Sequence, residues 1–179
     1  MTGKTLVLSG GSKGIGEAIV RKFAAAGADI AFTYNSGEEV AQEIAADLSS
    51  KHGIKIKAYK LDILEPNNYK DLFKLIDEDF DRVDVFISNA IISGRPVVGG
   101  FAPFMRLKPK GMTNIYTATV LAFMVGAQEA AKRMEKVGGG AILTLSSTGN
   151  LVHTQNYTGH GSSKAAVETV VRYAALELA

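Results

Sequence analysis

Three side chains that can hold or move a proton lie close together in the segment QNYTGHGSSK, residues 155–164. Tyr157, His160 and Lys164 are separated by three and four residues, so a helix over this segment places all three on one face. An imidazole titrates near neutral pH, and a lysine ammonium favours negative charge on a neighbouring oxygen. The spacing therefore predicts a proton donor on this helix, either Tyr157 or His160, assisted by Lys164.

The separation of Tyr157 from Lys164 predicts a ligand between them. Seven residues of helix rise about 10 Å, and side chains lean toward the helix N-terminus, so Lys164 is directed back toward the tyrosine. The gap is too long for a direct contact, but the two hydroxyls of a ribose would span it. A packing aromatic at a helix start is the alternative interpretation of Tyr157, and a hydrogen-bonded pocket histidine is that of His160.

Short apolar runs alternate with longer segments of helical period along the rest of the chain. Strands are predicted at residues 5–10, 29–34, 55–62, 83–88 and 141–147, and helices at 15–27, 38–53, 68–80, 113–136 and from 157 to the end, with an irregular loop at 89–111. This alternation favours right-handed crossovers and a parallel sheet covered on both faces. We therefore expect one doubly wound, Rossmann-like α/β domain over residues 1–179.

The composition narrows the class of protein. Hydrophobic residues make up 46% and charged residues 21% of the chain, as is usual for a globular domain. The absence of cysteine excludes a disulfide framework, a thiol nucleophile and a thiolate metal site. No apolar run reaches the length of a membrane span, and the N-terminus lacks the layout of a signal peptide. We expect a cytoplasmic protein with no metal site and with neither nucleic acid nor membrane as its partner.

The segment SGGSKGIG, residues 9–16, connects the first predicted strand to the first predicted helix. Glycines at this junction allow a tight turn and a close approach of the backbone to a pyrophosphate, and the helix N-terminus presents free N–H groups to the anion. A purely structural turn is the alternative. We predict that a dinucleotide is bound here by Gly10, Ser12, Lys13, Gly14, Ile15 and Gly16.

Two features of the sequence favour NADPH over NADH. Lys13 lies inside the glycine-rich turn, where an ammonium can reach a 2′-phosphate, although a solvated lysine is the simpler alternative. The second strand ends in TYNS, residues 33–36, without the Asp or Glu that holds the ribose 2′-hydroxyl of NAD. Tyr34 and Asn35 of this segment are counted among the predicted cofactor-binding residues.

Four more predicted cofactor contacts lie where two other strands end. Asp62 and Ile63 close the third strand, where a side chain can face an adenine, and Asn89 and Ala90 close the fourth, beside the nicotinamide ribose. Open parallel sheets bind their ligands at the carboxyl ends of the strands. Ordinary turn formation is the alternative for these residues.

These motifs, taken in order, resemble those of the short-chain dehydrogenase/reductase family over the whole length of the chain. The matching segments are SGGSKGIG, Asp62, SNA at 88–90, Ser146–Ser147 and Lys164. The family's usual pattern has its catalytic tyrosine four residues before the lysine, where this chain has His160. The segment AQEAAKRMEKVGGG at 127–140, and the position of Tyr157 seven residues before Lys164, are similar to enoyl-[acyl-carrier-protein] reductases of the FabL type.

The resemblance implies NADPH-dependent reduction of the double bond of a 2-enoyl thioester, carried on acyl carrier protein, in fatty-acid elongation. It implies that Tyr157 donates a hydrogen bond to the thioester carbonyl, that Lys164 holds the nicotinamide ribose and that Ser147 orients the substrate. A 3-oxoacyl or other carbonyl reductase, with a donor at His160 or an unusual use of Tyr157, is the second interpretation. A non-catalytic nucleotide-binding fragment is the third.

Two departures from the family pattern bear on these expectations. The asparagine that often maintains a proton-relay water in the long helix is replaced by Thr119. The chain ends in YAALELA, whereas family members continue with two more strands, helices and a substrate-covering segment. We therefore expect a five-stranded fold that is C-terminally incomplete relative to the family.

The resemblance also implies a homo-oligomer, a tetramer formed through the helices at 113–136 and 157–179. The first of these helices is apolar on more than one face, which favours a partner helix in addition to the sheet. Arg106, Lys108 and Lys110 form a basic segment that could steer an acidic acyl carrier protein, with a solvated basic loop as the alternative.

Overall fold

The computed structural model describes residues 1–92 and 101–179. Its strands are β1 (Thr5–Ser9), β2 (Asp29–Tyr34), β3 (Ile56–Lys60), β4 (Val85–Ser88) and β5 (Ala141–Thr144). Its helices are α1 (Gly14–Ala25), α2 (Glu38–His52), α3 (Asn68–Asp79), α4 (Pro109–Tyr116), α5 (Ala122–Glu135) and α6 (Thr158–Glu177). The predicted loop at 89–111 includes residues 93–100, which lie outside the described residues.

The five strands form one parallel sheet in the order β3-β2-β1-β4-β5. Leu6 of β1 lies opposite Ile30 of β2 and Val85 of β4, and Val85 in turn lies opposite Ala141 of β5. The strand order reverses between β1 and β4, which makes this pair the topological switch point of a doubly wound sheet. The predicted Rossmann-like α/β fold is confirmed.

The central strands are buried on both faces, which explains why the sequence shows them as continuous apolar runs. Leu6, Leu8, Ile30 and Phe32 are fully buried in this core. On α5, a Cβ added to Gly126 would lie 2.5 Å from Cζ of Phe86 on β4. The glycine therefore permits a close approach of this helix to the sheet.

The buried carboxylate of Asp84 holds together the amino ends of β1 and β4. Asp84 accepts hydrogen bonds from Lys4 Nζ at 2.9 Å, from Arg82 Nε at 2.7 Å and from the Thr5 amide at 2.9 Å. Burial by itself would raise the pKa of Asp84, but these donors outweigh it and hold the pKa well below the usual range. The carboxylate thus ties β1 to the residue that precedes β4.

The predicted helix at 113–136 differs in form from the helical segment in the structure. The segment begins earlier, with Pro109 at the first turn of α4, where a missing N–H costs no hydrogen bond. A π-helical turn, Thr117–Leu121, separates α4 from α5. Apolar periodicity predicts a helix here but does not specify one widened turn, so this feature was not expected.

The chain divides into two compact units. The first comprises Met1–Asp62, Asn67–Ala90 and Val125–Thr144 and contains the sheet. The second comprises Ile63–Pro66, Ile91–Met124 and Leu145–Ala179. Within it, α6 packs against α4, the π-helical turn and a 3₁₀ turn at Thr148–Asn150. A single cofactor-binding domain over residues 1–179 stays a prediction.

Across residues 1–92 and 101–179, no helix is both long enough and apolar enough to cross a membrane.

Candidate active site

In the first unit, the glycine-rich turn runs from the end of β1 into the start of α1. Gly10 and Gly14 have φ values of +74° and +56°, a left-handed conformation that favours glycine. A Cβ added to Gly16 would lie 1.8 Å from the Gly10 carbonyl oxygen. The helix start and the strand end therefore approach each other as closely as bare backbone allows.

Residues at the end of β4 hold this turn in place. The Asn89 side-chain amide donates to the carbonyl oxygens of Ser9, at 3.1 Å, and Gly10, at 2.8 Å. The Ser9 hydroxyl oxygen accepts from the backbone amides of Asn89, at 3.0 Å, and Ala90, at 3.1 Å. The structure brings both predicted residues to the turn, and their direct contact with a cofactor stays a prediction.

The end of β2 supports the turn from the other side of β1. Gly10 N donates to Thr33 Oγ1 at 3.1 Å, and Gly11 N donates to the Thr33 carbonyl at 2.8 Å. Tyr34 is buried in the core of the first unit, and burial followed by the nearby Glu38 raises the pKa of its phenol. Asn35, the next predicted cofactor contact, is exposed.

The predicted contacts at the end of β3 fall on the boundary between the units. Asp62 is half-buried and is the last residue of a segment of the first unit, and Ile63 is buried and begins a segment of the second. Both follow the end of β3 at Lys60, as the sequence predicts. Their contact with an adenine stays a prediction.

The turn fits the pyrophosphate of a dinucleotide. Lys13 occupies the N-cap position of α1 without a side-chain cap, so no side chain at that position competes for the first N–H groups of the helix. Lys13, Gly14 and Ile15 are exposed, Ser12 is half-buried, and a Cβ built on Gly14 would meet no atom within 4 Å. Free N–H groups, open space and a positive helix end are what an anion requires.

In the second unit, Tyr157 lies immediately before α6. The preceding Asn156 has φ +61° and is the one non-glycine residue with positive φ among those described, a conformation that asparagine tolerates better than most residues. Gly161 N donates to the Tyr157 carbonyl at 2.7 Å, within the first turn of the helix. His160 and Lys164 follow on α6, and both are buried. The predicted helix start and spacing are therefore present.

Tyr157 contacts the predicted serine and an unpredicted aromatic ring. Its hydroxyl lies 3.4 Å from Ser147 Oγ, a long contact in which either oxygen can be the donor. Its ring centroid lies 4.8 Å from that of His160 and 5.6 Å from that of Phe101. Phe101 is 56 positions before Tyr157 in sequence, so no local pattern could have indicated it.

Burial lowers the pKa of both His160 and Lys164. Burial, and then the charge of Lys164, lowers the pKa of His160 below its ordinary 6.5. Burial also lowers the pKa of Lys164, whose Nζ donates to the Leu145 carbonyl at 2.6 Å. A pKa below 6.5 leaves the imidazole mostly neutral at pH 7, and its ring packs beside the phenol of Tyr157.

Two further expectations concern the second unit. Thr119 is buried within the π-helical turn, against which α6 packs, and its part in a water relay stays a prediction. Arg106, Lys108 and Lys110 are exposed, as the basic-segment interpretation requires. Among the described residues, no group of three His, Asp or Glu side chains could hold a metal ion.

Comparison with known proteins shows the family of the whole chain. A family model described as enoyl-(acyl carrier protein) reductase matches residues 10–179. The chain is also 33% identical to a sorbose reductase of Schizosaccharomyces pombe, over 100% of this chain and 69% of that protein. The chain belongs to the short-chain dehydrogenase/reductase family.

Other relatives of this dehydrogenase/reductase differ in the reactions their names describe. A 1-cyclohexenylcarbonyl-CoA reductase of Streptomyces collinus is 31% identical over 97% of this chain and 59% of that protein. Among solved structures, an alcohol dehydrogenase of Thermococcus sibiricus, complexed with 5-hydroxy-NADP, has a TM-score of 0.85 at 26% identity, covering 97% of this chain and 71% of that one. The first relatives span more sequence, since this chain covers 65%, 62% and 59% of three of them.

Proposed function

We propose that this chain is the cofactor-binding and catalytic part of an NADPH-dependent enoyl reductase, which reduces the double bond of a 2-enoyl thioester on acyl carrier protein. One observation carries the proposal. The hydroxyl that lies beside Ser147 belongs to Tyr157, seven residues before Lys164, and not to a residue at the usual position four before it. That usual position holds His160, a buried neutral imidazole.

The chemical roles follow from the groups present. When bound, NADPH would supply a hydride to the β-carbon of the thioester, and uptake of a proton from solvent at the α-carbon would complete the reduction of the double bond. Tyr157 donates a hydrogen bond to the thioester carbonyl oxygen, where negative charge develops, and a donor placed at that oxygen stabilises the transition state more than the ground state. Lys164, held by the Leu145 carbonyl, binds the nicotinamide ribose, and Ser147 orients the substrate.

NADPH is proposed over NADH on four grounds. Lys13 is exposed at the start of α1, and residues 33–36 contain no acid that would bind a 2′-hydroxyl or repel a 2′-phosphate. A solved structure of the same fold is described as a complex with 5-hydroxy-NADP, and a mannitol dehydrogenase relative of Yarrowia lipolytica, 31% identical over 100% of this chain, is described as NADP-dependent.

The relatives also support a second candidate function. The name 1-cyclohexenylcarbonyl-CoA describes a thioester with a conjugated double bond, which agrees with the enoyl proposal. Sorbose reductases, by contrast, act on a ketone. A carbonyl reductase is therefore the alternative function. A role in fatty-acid elongation is proposed only for the enoyl reductase.

We also propose the partners and the location of the protein, the partners from its exposed charged and apolar side chains. Exposed Arg106, Lys108 and Lys110 offer positive charge to an acidic acyl carrier protein. Exposed apolar side chains on the last turns of α6, such as Leu176, support a homo-tetramer through this helix and the 113–136 segment. We propose a cytoplasmic location.

Substrate preference tests the proposed reaction. Purified protein is assayed for NADPH oxidation with a 2-enoyl thioester, a 3-oxoacyl thioester of the same length, and sorbose. We expect the highest kcat/KM with the enoyl thioester. A higher value with either ketone would replace the enoyl proposal by the carbonyl-reductase alternative, and NADPH binding without turnover of any substrate would support a non-catalytic fragment.

A further inference from the structure

The ring of Tyr157 lies directly against the bare backbone of a neighbouring turn. Gly149 is the middle residue of the 3₁₀ turn Thr148–Asn150. A Cβ added to Gly149 would lie 2.4 Å from Cε1 and 2.5 Å from Cδ1 of Tyr157. No side chain fits at that separation, so any substitution at 149 must displace either the turn or the phenol ring.

A second glycine brings the same turn against α6. A Cβ added to Gly161 would lie 2.4 Å from the carbonyl oxygen of Gly149 and 3.8 Å from Cδ1 of Tyr157. Glycine is unfavourable inside a helix, so its presence one turn into α6 requires a local reason. The contact with Gly149 supplies that reason, because it allows the turn to sit close to the helix beside the ring.

Two aromatic rings complete the surroundings of the phenol. Phe101 meets the Tyr157 ring edge-on, with an interplanar angle of 70°, and it meets His160 with centroids 5.4 Å apart. Together with the 4.8 Å contact between Tyr157 and His160, this makes a cluster of three mutually packed rings. Aromatic pairs at these distances favour particular orientations, so the cluster restricts where the phenol can lie.

We infer that Gly149 and Phe101 are positioning residues for the Tyr157 hydroxyl, which they act on through the ring. The inference rests on the proposed function only in taking Tyr157 as the proton donor. Gly149 sets the place of the ring, and its backbone amide also donates to Ser147 Oγ at 3.2 Å, so one residue positions both oxygens of the 3.4 Å pair. Phe101 holds the ring against this turn.

A small displacement of the hydroxyl is enough to affect the reaction. Catalytic groups lose about 100-fold in rate when they are misplaced by about 1 Å. With an added methyl group at 149, the ring and the turn must separate by about 1 Å or more to restore an ordinary contact of about 3.4 Å. Neither Gly149 nor Phe101 is among the residues proposed to bind the cofactor, so we expect the affinity for NADPH to stay unchanged.

Paired variants test the inference. Gly149→Ala and Phe101→Leu are compared with Thr148→Ala, an exposed neighbour in the same turn, and Phe104→Leu, a phenylalanine that is 73% exposed. We expect kcat with a 2-enoyl thioester to fall by about 100-fold in Gly149→Ala and by at least tenfold in Phe101→Leu, with the Kd for NADPH unchanged. Both control variants should keep the wild-type kcat.

A readout that needs no turnover separates this inference from the proposed function. The protein contains 6 tyrosines, which can be replaced by 3-fluorotyrosine, and the fluorine resonance of position 157 is assigned by its loss in Tyr157→Phe. We expect this resonance to shift in Gly149→Ala and Phe101→Leu and to stay in place in the controls. Melting temperatures confirm that each variant is folded.

The results for the variants and for the wild-type protein test the inference and the proposed function separately. An unmoved resonance, or an unchanged kcat, in folded Gly149→Ala and Phe101→Leu would overturn the inference. If Gly149→Ala does not fold, Phe101→Leu alone decides it. If the wild-type protein reduces a ketone and not an enoyl thioester, the proposed function fails, and the resonance together with the kcat on that ketone still decides whether Gly149 and Phe101 position the phenol.

Discussion

At the scale of single residues, the main feature of the second unit is the uncharged ring of His160 beside the phenol of Tyr157. The usual proton donor of this family would stand where His160 stands, and an imidazole is intrinsically the better proton donor near pH 7. Burial, followed by the charge of Lys164, keeps it uncharged, and it has Tyr157 and Phe101 as ring neighbours. The same environment that keeps His160 uncharged at pH 7 makes it a suitable packing partner for Tyr157.

The lowered pKa of His160 predicts a pH dependence of stability. The unfolded chain binds a proton at His160 near pH 6.5, whereas the folded chain binds it only at lower pH, so the free energy of unfolding falls as pH drops below 6.5 toward the folded pKa. We expect His160→Gln to lose less stability than the wild type between pH 7 and pH 5, measured by urea unfolding. His153→Gln, at an exposed position, should retain the wild-type slope, and equal slopes in all three proteins would contradict the account.

At the scale of elements, the glycine-rich turn at the end of β1 depends on hydrogen bonds from the ends of the two neighbouring strands. β1 supplies the turn, β2 holds it through Thr33 and β4 holds it through Asn89. Because each contact is made by a backbone group or by a side chain at a strand end, the parallel register of the sheet fixes the geometry of the turn. The conformation of the glycine-rich turn therefore depends on the sheet as well as on the glycines themselves.

Gly16→Ala tests this dependence. Its Cβ would lie 1.8 Å from the Gly10 carbonyl and 2.6 Å from Asn89 Nδ2, so the turn must open. We expect the Kd for NADPH to rise by at least about tenfold, since the backbone N–H groups of the turn no longer converge on the anion. Gly53→Ala, at the left-handed C-cap of α2 (φ +64°) and with no atom within 4 Å of the added Cβ, is strained away from the turn and controls for a general loss of stability. NADPH binding by Gly16→Ala at wild-type affinity would contradict the account.

Much of the element order could be predicted from the sequence because burial leaves a periodic signal. The three central strands, β1, β2 and β4, are buried on both faces, and the junction between β1 and α1 has glycines where φ is positive. The π-helical turn at Thr117–Leu121 and the end of β5 at Thr144, three residues earlier than expected, leave no such signal. Phe101 and Gly149 could not be found either, since their contacts with Tyr157 are tertiary.

At the scale of the whole molecule, α6 has an apolar surface that the chain itself does not cover. Tyr173 is 66% exposed and Leu176 is 83% exposed. Exposed apolar patches of this kind mark protein contacts, and the proposed tetramer would use the same helix. The sequence predicted which helices are apolar, but it could not show which of their faces remain uncovered.

Charge introduced on this surface tests the proposed tetramer. We expect Leu176→Glu to shift the mass measured by light scattering from a tetramer to a smaller species, because a carboxylate buried at an interface without a partner is unfavourable. Val40→Glu, at an exposed apolar position on α2, should leave the mass unchanged. A monomeric wild-type protein would contradict the proposal.

The central claim is that Tyr157, and not His160, donates to the reacting carbonyl during enoyl reduction. The most direct measurement is kcat for NADPH oxidation with a 2-enoyl thioester in the wild type, Tyr157→Phe and His160→Gln, with the Kd for NADPH measured in each. We predict that Tyr157→Phe loses about 100- to 1,000-fold in kcat at unchanged Kd, and that His160→Gln loses less than about tenfold. A larger loss in His160→Gln than in Tyr157→Phe would contradict the account.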